Sequence, residues 1–303
     1  MIVALALSPS LDITYQVPQL RTHEITRPTA IARVAGGKAL NMARVAATLR
    51  APVHAVVALG GHQGNWVAEL LADDGIEATV VPLRHDTRSC ITIVEATHAD
   101  SSTDLYEQAT ELDPDEWDAF ANAATQVADH NSHRDHTMRF VLSGSLPAGV
   151  RPDAIVGLLQ SLRDRGAWVA VDSSGAGLRA CAPHCDLVKI NRAEARELLG
   201  ADTGSAPGMT ARDAAHAIAT GFDTDAVVTD GARGGFAVFG GSGYPLSAPT
   251  EAGRFPAGSG DAFLGGLVAA LHQGLDPADA LHSARLAAER NAAVPGQGIL
   301  APR

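Results

Sequence analysis

The sequence predicts an α/β fold, with a mainly parallel central sheet flanked by helices on both faces. Three observations carry this expectation. Apolar, β-rich runs alternate with amphipathic helical patterns through most of the 303 residues, the alternation that builds a parallel sheet covered on both sides. Loops following the strand-like runs collect glycine, serine, asparagine and aspartate, and ligands of such sheets bind beyond the C-terminal strand ends. Two stretches, 13–34 and 88–110, interrupt the alternation with short β-prone pieces, which read from the residues alone as surface hairpins or edge strands.

The first strand is the apolar run Ile2–Leu7, which stops at the loop signal Ser8-Pro9 and leads to Asp12. Thr14-Tyr15-Gln16-Val17 opens the first interruption. Behind Gly36-Gly37 a helix is expected over Lys38–Leu49, then a strand over Val53–Leu59 and a helix over Asn65–Asp73. Cys90-Ile91-Thr92-Ile93-Val94 belongs to the second interruption. Strands at Phe140–Leu142, Trp168–Val171 and Leu187–Ile190 each run into a polar loop, beginning at Ser143, Asp172 and Asn191. Helices are expected over Asp153–Arg165, Arg192–Leu199 and Ala211–Thr220, and a last strand over Ala226–Thr229. The polar stretch Asp129–Thr137 holds three histidines at irregular spacing and reads as a solvated loop insertion.

Composition bounds the function. With 46% hydrophobic and 19% charged residues the chain is an ordinary globular protein, and no repeat or linker divides residues 1–303, so one domain is expected. A formal charge of −11 argues against nucleic acid, which needs a basic surface. No apolar run approaches the ~20 residues of a membrane span, and no basic leader with a cleavage site is seen, so the cytoplasm is the default location. Cys90, Cys181 and Cys185 make no disulfide framework, and Cys181, His184 and Cys185 fall short of a zinc set.

The chemistry concentrates at Ala257-Gly258-Ser259-Gly260-Asp261, which runs straight into an apolar helix. A helix start presents open N–H groups and the positive end of the dipole, attracting phosphate or a developing anion. A carboxylate beside it can act as a general base.

That loop, with Ser8-Pro9-Ser10-Leu11-Asp12, Ala35-Gly36-Gly37-Lys38-Ala39-Leu40-Asn41, Ser143-Gly144-Ser145-Leu146-Pro147 and Lys189-Ile190-Asn191-Arg192-Ala193-Glu194, resembles the PfkB branch of the ribokinase-like sugar kinases. The resemblance covers essentially the whole chain in the family's order. It is nearest to kinases of phosphorylated ketohexoses, 1-phosphofructokinase and tagatose-6-phosphate kinase. It implies a ribokinase-like fold in which 13–34 and 88–110 form a small β-sheet lid over the sugar and pair with a second subunit's lid in a homodimer. It also implies ATP as donor, Mg2+, and a sugar phosphate as acceptor: fructose 1-phosphate first, then tagatose 6-phosphate, then fructose 6-phosphate. A catalytically silent sugar-phosphate sensor is the reading from another class, and the intact Asp261 and glycines speak against it.

By this resemblance Asp261 is the base, and the N–H groups of Gly258, Ser259 and Gly260 hold the moving phosphoryl. Asp12 and Asn41 meet sugar hydroxyls, Gly36 and Gly37 let the sugar come close, and Ser143 lies on the acceptor side. Lys38 and Arg88 take the acceptor's phosphate, with Arg27 a further lid contact. Asn191 and Glu194 hold a hydrated magnesium; Thr229, Gly231 and Gly234 line ATP, and Asn291 approaches its adenine or ribose. The chain departs from the family at Ala39, where a glycine is usual, at Ile190, where proline is usual, and at Asp230, acidic beside the phosphates. The lid segment Tyr106–Glu111 also lacks a usual glycine.

Overall fold

The structure is a computed structural model and describes residues 1–96, 102–131, 138–200, 208–250 and 253–302. At its centre lies β1 (Ile2–Ala6), five aliphatic residues buried on both faces, as a strand covered by helices on each side must be. In chain order there follow β2 (Ser10–Val17), β3 (Ala30–Gly36), β4 (Val53–Leu59), β5 (Glu77–Pro82), β6 (Arg88–Glu95) and β7 (Ser102–Tyr106). The second half adds β8 (Arg139–Ser143), β9 (Trp168–Asp172), β10 (Leu187–Asn191), β11 (Asp225–Thr229), β12 (Gly235–Phe239) and β13 (Ser242–Leu246).

The large sheet has the order β13-β12-β11-β10-β9-β8-β1-β4-β5. From β11 through β5 every neighbour is parallel, and β12 and β13 close one edge as an antiparallel hairpin. The chain lays its first strands to one side of β1 and returns to the other side at β8. Such a reversal opens a crevice beyond the C-terminal strand ends, where ligands of these sheets bind. Among the described residues no helix is long and apolar enough to cross a membrane.

One face of the sheet packs on a core that includes Phe120, Phe140 and Ile155, the other on one that includes Leu40, Leu264 and Leu267. The helix Ser259–His272 is buried from Asp261 through Ala270, so it is apolar all round. It lies against the helices Lys38–Thr48 and Pro277–Ala292. A Cβ on Gly265 would fall 2.6 Å from the Met42 carbonyl, and one on Gly266 would fall 2.8 Å from Ala287 Cβ. Glycine therefore sets the backbone-to-backbone approach that seats this helix.

The smaller sheet, β3-β2-β6-β7, pairs β2 in parallel with β6 and antiparallel with β3. It begins at Ser10 rather than 13 and extends to Gly36, because Ser10 pairs with both Gly36 and Arg88. Asp12 and Gly36 are thus strand residues, not loop residues. The helix Pro114–Asn131 runs through Asp129 and His130, so the start of the polar stretch is a helix end rather than a loop; residues 132–137 lie outside the described residues. Among the described residues no group of three or more His, Cys, Asp or Glu could hold a metal ion, and all three cysteines are buried free thiols.

Candidate active site

Asp261 sits in the first turn of the helix Ser259–His272, only 7% exposed. Its Oδ2 accepts a hydrogen bond of 2.9 Å from Asn41 Nδ2. Burial, reinforced by the nearby Asp172 charge, pushes the Asp261 pKa from 3.8 up to about 6, against the opposing pull of Asn41, Lys189 and Lys38. A carboxyl tuned toward neutrality is suited to take a proton from a hydroxyl. Gly258 caps the helix with φ of 80°, a left-handed conformation that suits glycine. The Ser259 N–H is taken by the Pro256 carbonyl at 3.1 Å. The N–H groups of Gly258 and Gly260 find no acceptor among the described residues, so these two are open to an anion.

Beneath the loop, Asp172 closes β9 and is 1% exposed. Lys189 Nζ donates to its Oδ2 at 2.5 Å and Lys38 Nζ to its Oδ1 at 3.2 Å. Burial works to raise the Asp172 pKa, but the two ammonium groups outweigh it and hold the carboxyl below the ordinary range. Asp172 in turn, against burial, holds Lys38 above the usual lysine range. Lys38 also lies 3.9 Å from Glu194 Oε1. A Cβ on Gly260 would meet Lys189 Nζ at 3.3 Å, which puts that buried cation directly under the glycine loop. Lys38 therefore points in among the carboxylates of Asp172, Glu194 and Asp261.

In the smaller sheet, Asp12 is buried and takes a 2.5 Å hydrogen bond from Ser10 Oγ. Burial raises its pKa, and Ser10, the Gly37 N–H, Arg44 and Arg88 oppose the rise. Gly36 has to be glycine here, since a Cβ would lie 2.0 Å from Asp12 Cγ. Gly37 (φ 91°) caps the next helix, and a Cβ there would sit 2.9 Å from the Ser8 carbonyl. Arg88 pairs across β2–β6 with Ser10 and donates to the Ser8 and Glu107 carbonyls at 3.3 and 3.2 Å. Arg88 Nε, Ser8 Oγ and Ser143 Oγ are buried without a hydrogen-bond partner. Orphaned polar atoms of this kind are costly in a folded protein and call for a ligand or water. Arg27 is exposed on the loop between β2 and β3 and makes no hydrogen bond or ion pair with a described residue.

A cleft of about 700 Å³ lies beside the glycine loop, within the range of small-molecule sites. Asn191, Thr229, Gly231 and Gly234 line it with Ser259 and Gly260, and Leu246, Phe263 and Leu281 give it an apolar wall. Gly234 (φ 81°) allows the turn, because a Cβ would strike the Leu246 carbonyl at 2.1 Å. Asp230 is not a loose negative charge near this cleft: Arg233 and Arg192 pair with it at 2.7 and 3.1 Å. Asn191 and Glu194 form a capping box, with Asn191 Oδ1 taking the N–H groups of Ala193 and Glu194. Asn191 thus keeps its amide N–H groups for oxygen acceptors. Asn291 is fully buried behind the cleft, donating to the Ala257 carbonyl at 2.9 Å and accepting from Gly298 N–H at 2.8 Å. It ties the glycine loop in place from the rear.

Four residues of the site, Asp172, Lys189, Arg44 and Gln297, are not marked as such by the sequence. Lys189 is the one with a readable signal, since a lysine inside an apolar strand calls for a buried carboxylate partner. Arg44, among the buried residues of its helix, and Gln297, in the C-terminal segment, offer weaker signals. The structure joins both to Asn41, at 3.3 Å each.

The architecture has close counterparts among solved structures. Phosphofructokinase-2 from Escherichia coli in complex with potassium superposes with a TM-score of 0.88 at 24% identity, covering 99% of this chain and 95% of that one. The same enzyme in complex with fructose-6-phosphate gives 0.84 at 25% identity, over 95% and 92%. A possible 1-phosphofructokinase from Thermotoga maritima gives 0.77 at 19% identity, over 96% and 90%. Residues 5–302 match the pfkB family carbohydrate kinases, and a buried carboxylate at a glycine-rich helix start is what such chemistry asks for: the chain belongs to that family and is a phosphotransferase with a sugar hydroxyl as acceptor.

Proposed function

We propose that this kinase transfers the γ-phosphoryl of ATP to a phosphorylated ketohexose, with fructose 1-phosphate the first acceptor and a 1,6-bisphosphate the product. The observation that carries the reading is the acceptor pocket, where buried Asp12 meets hydroxyls and the orphaned Nε of Arg88 waits for an anion. Guanidinium suits phosphate through its forked donors. Lys38 is occupied by Asp172 and Glu194, so it serves the moving phosphoryl and does not discriminate among acceptors. That observation, with the likeness to phosphofructokinase-2, favours fructose 6-phosphate as the second reading, ahead of tagatose 6-phosphate.

In the reaction the acceptor hydroxyl gives its proton to Asp261 as its oxygen bonds to the γ-phosphorus. The bond from that phosphorus to the bridging oxygen breaks, and ADP leaves. Gly258 and Gly260 N–H groups, with Lys38 and Lys189, face the charge on the phosphoryl as it moves. Thr229, Gly231 and Gly234 bound the nucleotide cleft, and Asn191 donates to phosphate oxygens. Magnesium needs few protein ligands when phosphate and water supply the rest; Glu194 fits as its carboxylate contact, and the ion would neutralise charge on the phosphates.

The test is ADP release with MgATP across fructose 1-phosphate, fructose 6-phosphate, tagatose 6-phosphate and the free sugars. Arg88→Leu should raise KM for the phosphorylated acceptor about 10- to 100-fold, the worth of charged hydrogen bonds, and leave KM for ATP unchanged. Turnover of free sugars alone would overturn the role of Arg88. ATP binding without turnover on any acceptor would favour the silent sensor.

We further propose a homodimer through the outer face of the smaller sheet, where Ile31 and Leu105 stand exposed on the same side. Light scattering should give a dimer mass, reduced to a monomer by Leu105→Lys; a monomeric wild type would count against it. ATP and sugar phosphates are cytoplasmic metabolites, and the cytoplasm is the proposed location.

A further inference from the structure

We propose that Arg44 is a positioning residue for phosphoryl transfer: its guanidinium fixes which way the Asn41 amide faces, and so supplies Asp261 with a hydrogen-bond donor. The inference rests on the reading of Asp261 as the base.

Arg44 lies on the helix Lys38–Thr48 and is only 5% exposed. Its Nε donates to Asp74 Oδ2 at 2.7 Å and its NH2 to the Ala35 carbonyl. The remaining nitrogen, NH1, reaches the Gln297 carbonyl at 3.1 Å and Asn41 Oδ1 at 3.3 Å. A guanidinium only donates, so the side of the Asn41 amide turned toward Arg44 has to be its oxygen. The NH2 group is then turned the other way, to Asp261 Oδ2 at 2.9 Å and Gln297 Oε1 at 3.3 Å. A flipped amide would set donor against donor at Arg44 and oxygen against carboxylate at Asp261. The ionised Asp261 carboxylate selects the same orientation, and Arg44 holds it when Asp261 is protonated and could itself donate.

The same guanidinium gathers the walls of the site. Ala35 precedes Gly36 and Gly37, and Gln297 packs on the anion-hole loop, its Cα 3.0 Å from where a Gly258 Cβ would stand. Gln297 also donates to the Tyr106 hydroxyl at 3.1 Å and so reaches β7. Acceptor loop, anion hole and smaller sheet are thus registered on one buried cation. The ionisable groups that bear on Asp261 directly are Asp172 from β9, Lys189 from β10 and Lys38 from the same helix as Arg44. Arg44 acts on it through Asn41. Removing the Asn41 donor withdraws a bond that favours the charged carboxylate.

The test uses the full chain with Arg44→Lys, which keeps the charge and loses the fork, and Arg44→Met. Both should lower kcat about 10- to 100-fold, the range for a charge-assisted hydrogen bond, with acceptor KM within about threefold. The acid limb of the kcat profile should move to higher pH, which a merely structural role would not produce. In an Asn41→Ala background the Arg44 substitutions should cost no further kcat. Additive losses, or an unmoved acid limb in Arg44→Lys, would overturn the proposal. Should Arg44→Met fail to fold, Arg44→Lys alone decides: its NH1 contact with Asn41 is lost while the charge remains, and an unmoved acid limb overturns the proposal. NMR of the Asn41 side-chain amide gives a readout without turnover. Its protons should follow the Asp261 titration in wild type and cease to do so in Arg44→Lys. A wild type without kinase activity would refute the functional reading, whereas an Asn41 signal blind to that titration would refute this one.

Discussion

Asp261→Asn should lower kcat by about 10²–10⁴-fold, the usual contribution of a positioned general base, with acceptor binding nearly intact. The same substitution should make the protein more stable at pH 8. In the fold the Asp261 carboxyl loses its proton near pH 6, against 3.8 ordinarily. Between those values the unfolded chain is ionised and the folded one is not, so the unfolded state binds fewer protons. Stability therefore falls as pH rises across that window, and the cost of the buried charge, on the order of 3 kcal/mol, is complete above it. Asparagine removes the charge. Steady-state kinetics and thermal unfolding at pH 5 and pH 8 check both halves; the gain in Tm should be larger at pH 8. A variant that retains more than a tenth of wild-type kcat would remove Asp261 from the role of base. Wild-type activity should itself decline below about pH 6 as the carboxyl protonates.

Lys189→Met should be the most destabilising single change at the site. It leaves Asp172, 1% exposed, with Lys38 alone, and breaking one partner from a buried ion pair costs about 3–5 kcal/mol. The substitution also takes a cation from beside Asp261, so the acid limb of kcat should move upward. Adding Asp172→Asn should restore much of the stability, because the uncompensated charge is gone, without restoring kcat. Urea unfolding of the single and double variants is the measurement. A loss below about 1 kcal/mol in Lys189→Met, the scale of an exposed pair, would mean that Lys38 compensates Asp172 by itself.

How far the sequence could be read depended on what kind of signal each element left. The central parallel strands were legible because burial on both faces demands unbroken aliphatic runs, as in Ile2–Ala6. β5 was missed because it lies at an edge and carries exposed Glu77 and Val80 within its short span. The helix Pro114–Asn131 was also missed, its apolar stripe diluted by Asn, Asp and Thr. At the site, glycines and carboxylates at fixed local spacing were visible, since a tight turn constrains adjacent positions. Pairings over long separations were not. Nothing near Asp230 announces that Arg192 as well as Arg233 neutralises it, and nothing near Asn291 shows that its amide holds Ala257 rather than facing the cleft.

The hydrogen bond from Asn41 to Asp261 joins residues 220 positions apart, and Asn41 to Gln297 spans 256. A chain emerging from the ribosome therefore exposes its acceptor loop long before the base and anion hole exist. Closure over such separations comes late, since loop entropy is lost before any contact is gained. Until residues near 297 have docked, Arg44 NH1 and the Asn41 amide lack the Gln297 oxygens they donate to. Nascent chains truncated before Gln297 are thus expected to be dependent on chaperones, and recovery of kinase turnover after dilution from denaturant reports completion of the whole fold rather than of any half of it.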